Sequence, residues 1–275
     1  MENFKIPIGK FIELIIDFFI NHFSFATKMI SNVTESGFKS LVNTIMIFPP
    51  WLPILLITAI AWSLSKKRGV AVFTLIGLIL IWNMGLWQPT VSTITLVLIS
   101  TICSIMIGIP LGILAALNNV FYKTIMPALD FMQTMPAFVY LIPAIPFFGL
   151  GPVGAVFSSV VFSMPPAVRL TCLGIRQVPN EMIEAADSFG CSKKQKLFKV
   201  QLPLATPTIM AGVNQTIMLA LSMVVIAAMI GAKGLGGEVW RAIQRLEIGK
   251  GFEAGIGIVI IAIILDRVVQ KAGSN

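Results

Sequence analysis

The chain has 275 residues, 56% of them hydrophobic and only 12% charged, against the ~25% charged share of a soluble domain. With a mean hydropathy of +0.90, this composition excludes an ordinary water-soluble protein and places the chain in a bilayer. A net charge of +8 would suit nucleic acid in a soluble domain, but here the basic residues sit mostly at the ends of apolar runs, where membrane topology accounts for them.

Lipid offers no partner for backbone N–H and C=O groups, so long apolar runs must be helices and the fold class is all-α. Residues 1–40 lack the basic start, short apolar core and small-residue cleavage site of a signal peptide, and are expected to stay in the mature protein. From 8 to 33, Ile8, Phe11, Ile12, Ile15, Phe18, Phe19, Phe23, Ala26, Met29, Ile30 and Val33 recur at three and four. Lys10, Glu13, Asp17, Asn21, Ser24, Lys28 and Ser31 form a second stripe of the same period. Together they predict an amphipathic helix, either lying along the membrane surface or packed on the membrane domain. His22 is read as an ordinary residue of this helix.

Seven spans are predicted, at 41–64, 69–87, 91–117, 124–148, 152–175, 203–230 and 250–269. Pro49, Pro50 and Pro53 should delay the first until about Trp51. Pro136, Pro143 and Pro146 should bend or break the fourth, which then belongs inside the bundle where neighbours cover the freed backbone groups. The resulting organisation is a 1–40 amphipathic segment, two accessory helices in 41–90, and a core membrane domain in 91–275 with a polar loop at 177–203.

Twelve basic residues fall on one side of this scheme: Lys66, Lys67, Arg68, Lys123, Arg169, Arg176, Lys193, Lys194, Lys196, Lys199, Arg267 and Lys271. Eight fall on the other: Lys5, Lys10, Lys28, Lys39, Lys233, Arg241, Arg245 and Lys250. The richer side is taken as cytoplasmic, which puts the N-terminus outside and the C-terminus inside. Cys103, Cys172 and Cys191 show no metal or disulfide spacing and are read as free thiols. No His, Asp and Glu constellation suggests a metal site or an enzyme.

The polar loop EAADSFGCSKKQKLFKVQLP, 184–203, is locally well specified. Pro179, Asn180 and Glu181 suit a helix start and Gly190 its stop. Ser192 and Gln195 have capping-box spacing for a second short helix, and Pro203 opens the next span. Ala185 and Ala186 leave room for another backbone to come close.

Here the chain resembles the membrane subunits of binding-protein-dependent ABC importers. Their signature is EAA, three residues, Gly, nine residues, an aliphatic, one residue, then Leu-Pro. Glu184, Ala185, Ala186, Gly190, Val200, Leu202 and Pro203 match it, with Val where Ile is commonest. Stretches at 129–144, 163–179, 197–232 and 234–236 look like the glycine betaine and proline betaine branch, and the similarity covers essentially the whole chain. Lys233 departs from it, standing where relatives often have Pro.

The resemblance implies a polytopic bundle like the type I importer permeases, in the plasma membrane of a bacterium or archaeon. The 180–199 helices would couple to an ATP-hydrolysing subunit that binds ATP and Mg, an extracellular binding protein or domain would deliver solute, and two permeases would form a homodimer. Independently, the chain has no GxxxxGK[ST] and no soluble segment long enough for a nucleotide-hydrolysing domain, so energy must come from a partner. Choline, carnitine or proline remain alternative substrates. An ion-coupled secondary transporter would call for inverted repeats and mid-membrane titratable groups.

Polar groups at membrane depth are candidates for the translocation path: Gln133 and Thr134 in the fourth span, and Asn214, Gln215 and Ser222 in the sixth, alongside Met218 and Met223. Helix–helix hydrogen bonding explains them equally well. Asp130 and Arg169 read as a structural ion pair or interfacial anchors. The run 231–240 is expected to be a flexible outer loop ahead of a short helix near 240–246, helping to form an outer gate. Gly251 and Gly255 have the spacing of close helix packing.

Overall fold

A chain that cannot hydrogen-bond to lipid solves its backbone problem locally, and every regular element among the described residues is helical. The computed structural model describes residues 8–272; Lys5 and the rest of 1–7, together with the side chains of Ile8, Phe11, Ile12, Ile15, Asn21, Phe23, Ala26, Lys271 and Ala272, lie outside the described residues. The main helices are α1 (Ile8–Ile47), α2 (Trp51–Ser65), α3 (Arg68–Asn83), α4 (Trp87–Leu117), α5 (Asn119–Thr134), α6 (Leu141–Phe148), α7 (Pro152–Arg176), α8 (Asn180–Ser188), α9 (Lys193–Lys196), α10 (Leu202–Ile226), α11 (Leu235–Arg245) and α12 (Ile248–Ala272).

At the centre, α7 lies between α4 and α10. Small residues set the spacing. A Cβ on Gly112 of α4 would come within 2.6 Å of Thr171 and of the Val168 carbonyl, and one on Gly212 of α10 within 2.9 Å of Leu170. Such notches let helices that gain nothing from excluding water gain dispersion contact instead. Buried hydroxyls add ties across the seam: Ser104 of α4 and Ser163 of α7 share a 2.9 Å hydrogen bond, and Ser158 donates to the Tyr140 carbonyl at 3.2 Å. A second apolar cluster joins Ile54, Leu78 and Ile81 of α2 and α3 to Leu235 of α11 and Ile260, Ile261 and Ile264 of α12. The last span thus packs with the accessory pair as well as with the core.

Two predicted spans are bent pairs. Residues 41–47 do not open a new span but end α1, which runs 40 residues without a break. Pro49 and Pro50 then interrupt the ladder, and α2 starts at Trp51 after a turn of 107°. The C-terminal part of α1 is fastened to the bundle, with Phe38 buried in the main core, while Leu14, Phe18, Phe25, Met29 and Val33 are exposed. α1 thus opens an apolar stripe outward along its first part and packs its last part on α4, α6 and α7.

The fourth span is also broken, as its prolines predict. The residue ahead of Pro136 is forced out of the helical region, Met135 having φ −69° and ψ +134°, and the two halves meet at 109°. The Tyr140 hydroxyl donates to the Met132 carbonyl across the break, replacing a lost backbone bond. By length and composition, α4, α7 and the run 193–230 can each cross a membrane, and five spans result if each bent pair counts as one. The predicted spans at 69–87 and 250–269 are helical too, but α3 has only 16 residues and α12 carries Glu253, Asp266 and Arg267.

Candidate functional site

The polar loop folds as a clasped elbow. Arg176, the last residue of α7, donates to the Ala115 carbonyl at 2.9 Å and to Asn119 Oδ1 at 2.7 Å. Its guanidinium also lies 4.0 Å from the Tyr122 ring centroid. Arg supplies this planar fork and stacking surface together, so the root of the elbow is pinned to α4 and α5. Beyond it Pro179 sets the entry to α8, whose first turn carries Glu181, a favourable charge at the positive end of the helix.

α8 ends in paired backbone bonds, Gly190 N–H to the Asp187 carbonyl (2.9 Å) and Cys191 N–H to the Ala186 carbonyl (3.0 Å). This Schellman closure needs a left-handed residue, and Gly190 supplies it at φ +73°. The capping box forms in both directions: Ser192 N–H donates to Gln195 Oε1 (2.8 Å) and Gln195 N–H to Ser192 Oγ (3.3 Å). Lys196 Nζ then reaches both oxygens of Asp187, at 2.6 and 2.7 Å, and ties the second limb of the elbow to the first.

One expectation changes. The second limb is not a separate rod ahead of Pro203. It continues through a π-helical turn, Leu197–Gln201, into α10. Leu197 is buried with Ile175 and Ala205, and Ile113 and Leu202 pack around them. The signature positions divide accordingly. Val200 and Leu202 are half-buried at the root, and Ala186 is buried against the second limb. Glu184, Ala185, Gly190 and Pro203 are exposed, and Glu184 makes no ion pair.

The sequence reading missed the apolar face of this elbow. Met182 (46% exposed), Phe189 (88%) and Phe198 (64%) project outward, and Met182, Ala185 and Phe189 share one face of α8 by their three- and four-residue spacing. The available signal was the 182–185–189 spacing.

The path candidates are not gathered in one place. Gln215 and Ser222 of α10 are exposed and seven residues apart, on one face; Ser222 Oγ donates to the Met218 carbonyl at 3.0 Å. Met218 is half-buried, whereas Met223 is fully buried in the core. Gln133 and Thr134 are exposed beside the break in the fourth span, Thr134 bonding the Phe131 carbonyl. Asn214 turns elsewhere: its Nδ2 donates to Asp266 of α12 at 3.0 Å, and Gln270 donates to the same oxygen at 2.7 Å. Asp266 is a half-buried carboxylate in the last helix that the sequence reading did not single out. Asp130 and Arg169 do form an ion pair, at 2.5 Å.

Nor is the 231–240 run a loose loop. Gly234, Leu235 and Gly236 are buried, and Leu235 N–H donates to Thr93 Oγ1 of α4 at 2.8 Å. α11 begins at Leu235, five residues before the predicted start. Of the two glycines in the last span, Gly251 faces Ala242 at 3.4 Å, while Gly255 has no neighbour within 4 Å and Gly257 makes the close approach to Leu235 instead.

A helical membrane bundle with broken spans, and a rigid polar elbow built into one of its central helices, defines the membrane-spanning subunit of a transporter. The chain belongs to the family described as the binding-protein-dependent transport system inner membrane component, whose model matches residues 108–270. It is 50% identical over 267 residues to the glycine betaine transport system permease protein of Bacillus subtilis, covering 97% of this chain and 94% of that one. It is 52% identical over 271 residues to the glycine betaine/carnitine transport permease protein of Listeria monocytogenes, covering 96% and 95%. The glycine betaine/proline betaine transport system permease protein of Escherichia coli is 47% identical over 270 residues, 98% of this chain and 76% of that protein. Among solved structures, an inward-facing form of the MetNI methionine ABC transporter matches with a TM-score of 0.59 at 23% identity, over 69% of this chain and 93% of that one. The fold is therefore that of an ABC importer permease.

Proposed function

We propose that this chain is the permease subunit of an ATP-driven importer of compatible solutes, with glycine betaine as its substrate. The relatives named above support the substrate, and the elbow supports the drive. Two helical limbs held by a Schellman closure, a capping box and an ion pair present Met182, Ala185, Phe189 and Glu184 as a preformed convex surface, the shape that docks into a groove on a partner. That partner is the ATPase subunit, which binds ATP and Mg.

In the proposed cycle, ATP-driven closure of two ATPases moves two elbows. Each elbow passes its displacement into α10 and so into the seam with α7 and α4, where a two-state bundle exchanges outward for inward access. Two permeases form the conduit by homodimerisation, and the exposed Gln215 and Ser222 face of α10 borders it. Solute arrives from an external binding protein or domain. With α3 and α12 crossing as well as α2, α4, the broken fourth span, α7 and α10, the elbow and the basic clusters at 66–68 and 193–199 face the cytoplasm, with the N-terminus outside.

Reconstitution tests this reading. The permease, its ATPase and its binding protein in proteoliposomes should take up radiolabelled glycine betaine only with ATP, and a cysteine placed at Phe189 should crosslink to the ATPase. Uptake without ATP, or no crosslink at that position, would overturn it.

A further inference from the structure

At the end of the bundle away from the elbow, a cavity of about 390 Å³ lies between α4, the 231–234 turn and α11, lined by Gln88, Ser92, Lys233, Glu238, Trp240 and Arg241. A second cavity, of about 350 Å³, lies on the α1 side and shares Gln88, Ser92, Gly231 and Lys233 with the first. Neither contains any group the coupling elbow uses. Its position follows from the helix directions. α10 leaves the elbow at Leu202, and its far end runs through 227–230 into this turn.

Three observations concern what this cavity can hold. Ser92 is only 5% exposed and lines both cavities; its hydroxyl takes part in no hydrogen bond among the described residues, and unlike the sealed, unpartnered hydroxyls of Thr90 and Ser100 it is not closed off from the cavity. Glu238 and Arg241 form an ion pair and largely cancel each other, whereas Lys233 is exposed and makes none, so the wall carries one uncompensated positive charge. Trp240 is half-buried on the same wall and is the best aromatic face for a cation that cannot donate hydrogen bonds.

We propose that this cavity is a receiving subsite for a small zwitterion, its carboxylate held by Lys233 and Ser92 and its methylated ammonium stacked on Trp240. A lone cation would meet the unbalanced lysine, and a lone anion would leave Trp240 without a role. The volume is at the small end of the ~300–1,000 Å³ of ligand pockets, which suits a solute of few heavy atoms. The subsite rests on the glycine betaine reading above and extends it: solute released by a binding protein would be caught here before the conduit opens.

The test uses the transporter in nanodiscs with its ATPase and without binding protein, read by saturation-transfer NMR on the methyl protons of glycine betaine. Wild type should show transfer, W240A about 3- to 10-fold less, and W240F most of the wild-type signal. K233Q should lower the betaine signal toward that of choline, which lacks the carboxylate, so this arm stands even should W240A fail to assemble. ATP-driven betaine uptake by the complete transporter is measured in parallel. Uptake without any saturation transfer in wild type overturns the subsite and leaves the importer reading intact; absence of uptake overturns the importer reading itself. Equal signals in wild type, W240A and K233Q also overturn the subsite.

Discussion

Replacing Gly190 puts a number on the elbow's rigidity. At φ +73° a Cβ would meet no atom within 4 Å, so a substitution costs backbone strain and nothing else. That strain is about 1–2 kcal/mol for an ordinary residue, least for Asn and greatest for a β-branched side chain. What holds the elbow shut is of similar size: about 1 kcal/mol from the Ser192 cap, and less than ~1 kcal/mol from the Lys196–Asp187 pair, screened because Asp187 is half exposed. A loss of about 1.4 kcal/mol lowers the closed fraction relative to the open about tenfold. Gly190→Asn should therefore retain most ATP-coupled uptake, Gly190→Ala should lose part of it, and Gly190→Val should lose most, while all three remain in the membrane. The assay is solute transported per ATP hydrolysed in proteoliposomes, checked by hydrogen exchange across 184–196. Equal damage from Asn and Val, or full coupling in the Val variant with an opened elbow, would refute the reasoning.

Thr93→Val should destabilise the bundle by about 1–3 kcal/mol, because it strands the buried Leu235 N–H; a thermal melt in detergent unchanged from wild type would count against the anchored turn. Arg176→Lys keeps the charge but loses the fork to Ala115 and Asn119 and the stacking on Tyr122, and faster proteolysis of 177–192 should report a loosened root. Leu197→Ala opens a void beside Ile175 and Ala205 and should cost about 2–5 kcal/mol, read as a lower melting temperature. Asp266→Leu leaves the Asn214 amide without its partner, and should cost more stability than Asp266→Asn, which can still accept a hydrogen bond.

The parts legible in the sequence are those written in local chemistry. Pro49, Pro50 and Pro136 mark the breaks, Gly190 and the Ser192–Gln195 pair mark the elbow, and each acts within a few residues of itself. What escaped depends on distant partners. The amphipathic pattern was read to Val33 and a new span from 41, yet α1 runs through to Ile47 because Phe38 is buried in the main core among residues of other helices. Asp266 meets Asn214 across 52 residues, and Leu235 meets Thr93 across 142. Gly255 satisfied a spacing rule, but the helix faces its neighbours through Gly257, a choice that only packing makes.

The π-helical turn at Leu197–Gln201 sets the aim of the helix behind it. A helix advances about 100° per residue, and a π turn lodges an extra residue without breaking the rod. In a strictly α-helical rod one extra residue would swing all of α10 by that angle, whereas the wider turn takes the residue up and leaves the α10 face that carries Gln215 and Ser222 in phase with the elbow. That turn therefore works as an indexing notch, letting Leu197 seat against Ile175 and Ala205 while the rest of the rod keeps its seam with α7.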